Sequence, residues 1–274
     1  DYARRALIAK NHTATHMLNL AIKGALGMAC DQRGSLCDAD KYRFDFAYGK
    51  PLTMDELLAT QQHVNEQIAA ALPVQIQVTG LEGAKTIRGL RAVFGEQYPD
   101  PVRVVCVGGP GVQQMLDAPD TPEWETYSAE FCGGTHIGNS KEIEHFVLLS
   151  EEGLGRGVRR VLGVTFEKAK AAFAEAESLK SRFDKAESLS GDALVAENTE
   201  LLKLLETTTI PVVDRKTLQD KIMVLKKKVV DAEKEAAKAG AGAAKEEAEA
   251  LADGAAATPT APLVALLAAE ADAK

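Results

Sequence analysis

Two pairs of residues could share a single metal ion. His12 and His16 stand four positions apart, so on a helix both imidazoles lie on one face. Well downstream, Cys132 and His136 bracket Gly133-Gly134-Thr135, and the two glycines let the backbone fold so that a thiolate and an imidazole converge. One thiolate with three imidazoles is a donor set suited to Zn²⁺ rather than to Mg²⁺ or Ca²⁺. The same stretches exclude two zinc chemistries. A peptidase helix would carry Glu directly after the first His, and position 13 is Thr. A zinc deaminase needs His-x-Glu with Cys-x-x-Cys, and neither is present. His63 and His145 have no partners at ligand spacing.

The elements that must position these groups read as an α+β domain. The spacing predicts a helix over about 6–26 that stops at Gly27, and Thr53 with Glu56 forms a capping box for a second helix through about Leu72. Strands are expected at 44–46, 74–78, 102–107, 146–149 and 158–164, where residues alternate or are rich in β-branched and aromatic types. Their irregular order among the helices favours a mixed or antiparallel sheet over a regular βαβ wind.

After residue 165 the composition turns to Ala, Glu, Lys and Leu. Leu218, Ile222, Leu225, Val229, Ala232, Ala236, Ala239 and Ala243 follow one another at steps of four and three, which is a heptad seam. Phe173, Ala176, Phe183 and Ala186, continued by Leu194, Leu201 and Leu205, give a rougher stripe before Pro211. Because Pro211 breaks a helix, a long antiparallel α-helical hairpin is expected over 166–252. The Gly254–Pro262 stretch reads as a linker, and Leu263–Leu267 as the start of a further apolar element, giving a third region over 253–274.

The 274 residues, 46% of them hydrophobic, suffice for a sizeable core, and no run approaches the ~18 apolar residues of a membrane helix. Four cysteines at irregular spacing do not suggest a disulfide framework, so a cytoplasmic location is expected, with no membrane partner. The net charge is −8, and residues 1–165 hold 16 Lys and Arg against 20 Asp and Glu. Bulk attraction to nucleic acid is therefore not supported, and DNA is not an expected partner. Local basic clusters remain as phosphate contacts: Arg4, Arg5 and Lys10 before the His pair, Lys85, Arg88 and Arg91 on one expected helix face, and Arg156, Arg159 and Arg160.

The segments Asn11–His16, Gln32–Leu36, Arg43–Phe46, Gly89–Glu96, Phe131–His136 and Gly157–Arg160, in that order, resemble the editing domain of alanyl-tRNA synthetases and their free-standing AlaX relatives. The likeness covers about the first 165 residues. The two ligand motifs alone would be shared with the editing domain of threonyl-tRNA synthetases, but there a class II core would be expected where this chain has its heptads. In alanyl-tRNA synthetases a helical segment leads instead to a C-terminal globular domain. With Asp1 at its start and no activation core before the first His pair, the chain reads as a fragment of such an enzyme, a free-standing deacylase being the alternative.

What the resemblance implies is hydrolysis of the ester joining serine or glycine to alanine tRNA. An alanine pocket cannot strongly exclude a smaller residue or one that adds a single hydroxyl, so a second, editing site is needed. Thr15 and Gln32 match positions lining the amino-acid pocket, while Thr13, Arg43, Asp45, Arg91, Arg159 and Arg160 fall on the substrate-binding side. Backbone N–H groups of Gly133 and Gly134 could stabilise an oxyanion. With His12, His16, Cys132 and His136 all bound, zinc organises the pocket or the terminal adenosine; with one released, it could activate water. A non-catalytic zinc module that binds tRNA, and self-association through the hairpin or a missing C-terminal domain, complete the readings.

Overall fold

The computed structural model describes residues 1–27, 30–93 and 95–256, with side chains as far as residue 250. The chain divides into two compact units, the first comprising Asp1–Ser178 with Thr208–Lys216, the second Leu179–Thr207 with the chain from Thr217 onward.

The first unit is α+β. Helix α1 (Tyr2–Leu26) is capped at its start by the Asp1 carboxylate and ends where Gly27 turns left-handed at φ 62°. It packs with α2 (Met54–Ala69) on a four-stranded antiparallel sheet of order β1-β2-β7-β6. The strands are β1 (Gln32–Cys37), β2 (Tyr42–Ala47), β6 (Phe146–Gly155) and β7 (Val158–Thr165). The expected capping box forms, Glu56 N–H donating to Thr53 Oγ1 and Thr53 N–H to Glu56 Oε2. Along β2, Tyr42, Phe44 and Phe46 point into the core with Met17, Leu18 and Ile22 of α1, while Arg43 and Asp45 alternate to the other face. Gly163 lies opposite Tyr42, where a Cβ would strike the tyrosine hydroxyl, so only glycine lets that ring cross the sheet.

A second antiparallel sheet, β3-β4-β5, holds β3 (Val74–Thr79), β4 (Val102–Val107) and β5 (Ser128–Phe131). Central β4 is buried on both faces. Val102, Val104 and Cys106 pack with Trp124, Phe131 and the short helices α3 (Leu81–Lys85) and α4 (Val112–Asp117), whereas Val107 joins the main core. This arrangement carries β5, and the Cys132–His136 loop that follows it, up against α1.

The expected break at residue 165 is not where the first unit ends. Ala169 and Ala172 of α5 (Phe166–Ala186) cover Val147 and Val164, and Val212 is buried in the main core. Nor does the helical region consist of two arms. The first arm is broken into α5 and α6 (Gly191–Thr207), with Gly191 at φ 57°, before α7 (Val212–Ala256). Pro211 lies at the expected break.

Within the second unit, Arg182 pairs with Glu197 and Lys221 with Asp184, tying the end of α5 to α6 and to α7. Of the expected seam, Leu218, Ile222 and Leu225 are buried and Val229 is half-buried, but Ala232, Ala236, Ala239 and Ala243 are exposed. A 45-residue helix is about 68 Å long and its 17-residue neighbour about 26 Å, so α6 is too short to cover the distal seam, although Ala244 beside it is buried. Helix α7 runs through Ala256, beyond the expected start of the linker at 253; residues 257–274 lie outside the described residues.

Candidate metal centre

The fold brings the two ligand pairs together. One donor atom each from His12, His16, Cys132 and His136 lies within 4.8 Å of every other, and these are the only residues among those described that form such a group. Both His12 Nε2 and His136 Nε2 lie 3.4 Å from Cys132 Sγ. The outer nitrogens explain why the inner ones converge. His12 Nδ1–H donates to the Thr135 carbonyl at 3.2 Å, which fixes the tautomer that leaves Nε2 as a lone-pair donor. His136 Nδ1 lies 3.0 Å from the Thr13 hydroxyl, which also accepts from Ile137 N–H. His16 Nδ1 faces the Glu130 carboxylate at 3.5 Å. Such outer contacts orient metal-binding imidazoles.

The donor chemistry fits zinc. Burial holds all three imidazoles below their usual range, His136 to about 2, so they stand as neutral ligands at physiological pH. Burial raises the Cys132 thiol, while Gly134 N–H, donating to Sγ at 3.4 Å, pulls the other way.

The loop that carries Cys132 is clamped from below. Arg103 Nη1 donates to the carbonyls of Cys132 at 2.6 Å and of Gly134 at 2.7 Å, and the Arg103 carbonyl accepts from Cys132 N–H. Gly134 is required for a local reason: a Cβ there would overlap the His12 ring, 2.7 Å from Nδ1, whereas Gly133 has nothing within 4 Å. Since Gly134 N–H is given to sulfur, the expected pair of oxyanion donors reduces to Gly133.

Two cavities share His12 and Ser35 in their walls. The inner one, 170 Å³, is lined by three of the four candidate ligands, His12, His16 and Cys132, together with Thr15, Gln32, Glu130 and Gly133 among others. The outer one, 480 Å³, is lined by Arg4, Arg5, Ile8, Cys37, Gly134 and Thr135. Thr15 Oγ1 donates to the Asn11 carbonyl at 2.8 Å, and its hydroxyl also meets Cys37 Sγ at 3.2 Å. Gln32 Nε2 donates to Ser35 Oγ at 3.1 Å.

Other residues expected near substrate fall elsewhere. Thr13 is fully buried and orients His136. Arg43, Asp45 and Arg160 occupy the sheet face turned away from α1, because β2 and β7 alternate, and Arg160 forms a two-pronged pair with Asp45 at 2.7 and 2.9 Å. Arg159 Nε donates to Glu151 at 2.6 Å. Arg91 is buried against Glu130 and shares no helix face with Lys85 and Arg88, because α3 ends at Lys85 and Gly89 turns left-handed at φ 78°. None of Arg43, Asp45, Arg91, Arg159 and Arg160 lines either cavity. The sequence reading passed over Asn19, Arg103 and Glu130; a charged residue inside a short strand was the one available signal.

Against known families, residues 102–161 match the second additional domain of threonyl and alanyl tRNA synthetases, a stretch that includes Cys132 and His136 but not His12 and His16. The chain is 52% identical over 210 residues to the cytoplasmic alanine–tRNA ligase of Dictyostelium discoideum, covering 77% of this chain and 22% of that protein. It is 41% identical over 232 residues to the alanine–tRNA ligase of Schizosaccharomyces pombe, covering 84% and 24%. With the alanine–tRNA ligase of Streptococcus sanguinis it shares 42% over 177 residues, covering 65% and 18%. The chain thus spans roughly a fifth to a quarter of the length of these relatives.

Proposed function

We propose, starting from a chain that belongs to the editing region of the alanine–tRNA ligase family, that this site hydrolyses the ester of alanine tRNA wrongly charged with serine or glycine. The observation that carries the reading is the four-donor cluster, three of whose members, His12, His16 and Cys132, stand in the wall of a 170 Å³ chamber that also holds Thr15 and Gln32. A chamber of that size suits a small aminoacyl group, and the 480 Å³ outer cavity, with Arg4 and Arg5 in its wall, suits the terminal nucleotide and its phosphate.

His12, His16, Cys132 and His136 would hold Zn²⁺, which when bound supplies a fixed positive charge and Lewis acidity beside the ester. Thr15 gives its proton to the Asn11 carbonyl, so its oxygen accepts the seryl hydroxyl. An alanyl methyl in the same place offers that oxygen no hydrogen bond, leaving it only the weak Cys37 thiol 3.2 Å away, and the difference favours the seryl over the alanyl ester. Gly133 N–H donates to the carbonyl oxygen as charge develops on it. Gly134 and Arg103 hold the loop that carries both Cys132 and that donor.

The test is single-turnover deacylation of seryl- and alanyl-esters of alanine tRNA by the zinc-loaded protein, with Cys132→Ala alongside. Faster loss of the seryl ester, abolished together with zinc in the variant, supports the reading. Equal cleavage of both esters refutes the pocket. Zinc and tRNA binding without cleavage would leave a non-catalytic module, and preference for a threonine tRNA substrate would point to threonyl-type editing.

A further inference from the structure

Glu130 has a place that the ligand set alone does not explain. It lies on β5, two residues before Cys132, and is 7% exposed. Three groups converge on its carboxylate. Asn19 Nδ2 donates to Oε1 at 3.0 Å, Arg91 Nε donates to the same oxygen at 3.1 Å, and His16 Nδ1 lies 3.5 Å from Oε2. Arg91 is equally buried. Burying two opposite ions contributes little stability over an apolar pair, so their retention here calls for another use.

The three imidazoles differ in what stands behind them. His12 gives its outer N–H to a carbonyl and His136 meets a hydroxyl, whereas His16 faces a carboxylate. A carboxylate behind a ligating imidazole fixes its tautomer and ring rotation and makes the inner nitrogen a better donor. We propose that Glu130 is a positioning residue of the metal centre: its Oε2 is the acceptor nearest a buried His16 Nδ1 that otherwise has no partner, and would take that N–H and turn Nε2 towards a bound ion, with Arg91 and Asn19 holding the carboxylate in place. The inference rests on the zinc reading given above. It also gives Arg91 a role in the support of the centre, where the sequence reading had placed it against substrate.

The experiment is competition of the purified protein with a chromophoric chelator for zinc, repeated with Co²⁺ to read the ligand field in the visible bands. Glu130→Gln should weaken zinc binding about 10- to 100-fold and shift the Co²⁺ bands, with the far-ultraviolet circular dichroism of the metal-free protein unchanged. Because that variant leaves Arg91 facing a neutral group, the double variant Glu130→Gln/Arg91→Met removes both charges together. It should show the same loss if the single variant fails to fold. A folded variant that binds zinc within about two-fold of the parent and keeps its Co²⁺ spectrum overturns the proposal. A parent chain that binds no zinc would overturn the metal reading instead.

Discussion

Replacing Gly134 by alanine isolates one contact. No left-handed φ is required at this position, so the backbone accepts Ala, and the whole cost arises where the new methyl meets the His12 ring. The methyl would lie 2.7 Å from His12 Nδ1 and closer still to Cε1, whereas ordinary contact begins at 3.4 Å. Relief therefore needs the ring to withdraw by about 0.7 Å or more. Zinc–nitrogen distances tolerate only about ±0.2 Å, so a ring moved that far no longer ligates. It would also give up the bond from Nδ1 to the Thr135 carbonyl. Zinc affinity should fall by about 100-fold or more, at or above the upper end of what outer contacts alone contribute. Gly133→Ala is the matched control, with open space around its Cβ, and should change affinity by about two-fold at most. Chelator competition on both proteins reads the difference. Gly134→Ala with parental affinity, or Gly133→Ala with an equal loss, would refute the steric argument.

Three further outcomes follow from the same structure. Thr15→Val should slow seryl-ester cleavage about ten-fold while leaving the alanyl ester unaffected or faster, measured as the ratio of the two rates, since the acceptor for the seryl hydroxyl is gone. Val212→Ala should destabilise the first unit by about 1–2 kcal/mol, and a chain ending at residue 165 should melt lower still, because Val212 and the α5 alanines are core residues of that unit. The metal-free protein should lose stability as pH falls below about 6.5. His16 and His136 have folded-state values below their unfolded ones, so the unfolded chain binds more protons; their contribution is complete above about 6.5 and declines at about 1.4 kcal/mol per proton per pH unit below it. Thermal melts across pH 4.5 to 7.5 read this, and a flat profile would contradict the buried neutral imidazoles.

The ligand set was legible because donor type and helical spacing are local properties. His12 and His16 needed only a helix, and Gly27 and the Thr53–Glu56 box marked the helix ends. Strand β1 was not legible, since Gln-Arg-Gly-Ser-Leu-Cys is a polar edge strand without clean alternation, and β5 is four residues long. The support of the centre was hidden for a different reason. Asn19 and Glu130 are 111 residues apart and Arg91 and Glu130 are 39 apart, and each alone reads as a side chain facing water until the sheet and helix meet. The alanine seam on α7 was readable as a period, but the length of its neighbour, and hence where packing stops, depends on the break at Gly191.

The distance along the chain between the two halves of the centre sets a clock. His12 and Cys132 are 120 residues apart, so a ribosome adding 5–20 residues per second leaves the first pair waiting about 6–24 s for the second. During that interval α1 presents two imidazoles with no thiolate, on the zinc reading a weak half-site that a competing chelator can strip. Firm capture of the ion has to await β4, β5 and the loop after them. If the centre binds zinc as proposed, starvation should act at birth, lowering the yield of newly made protein more than it affects protein folded before the shortage.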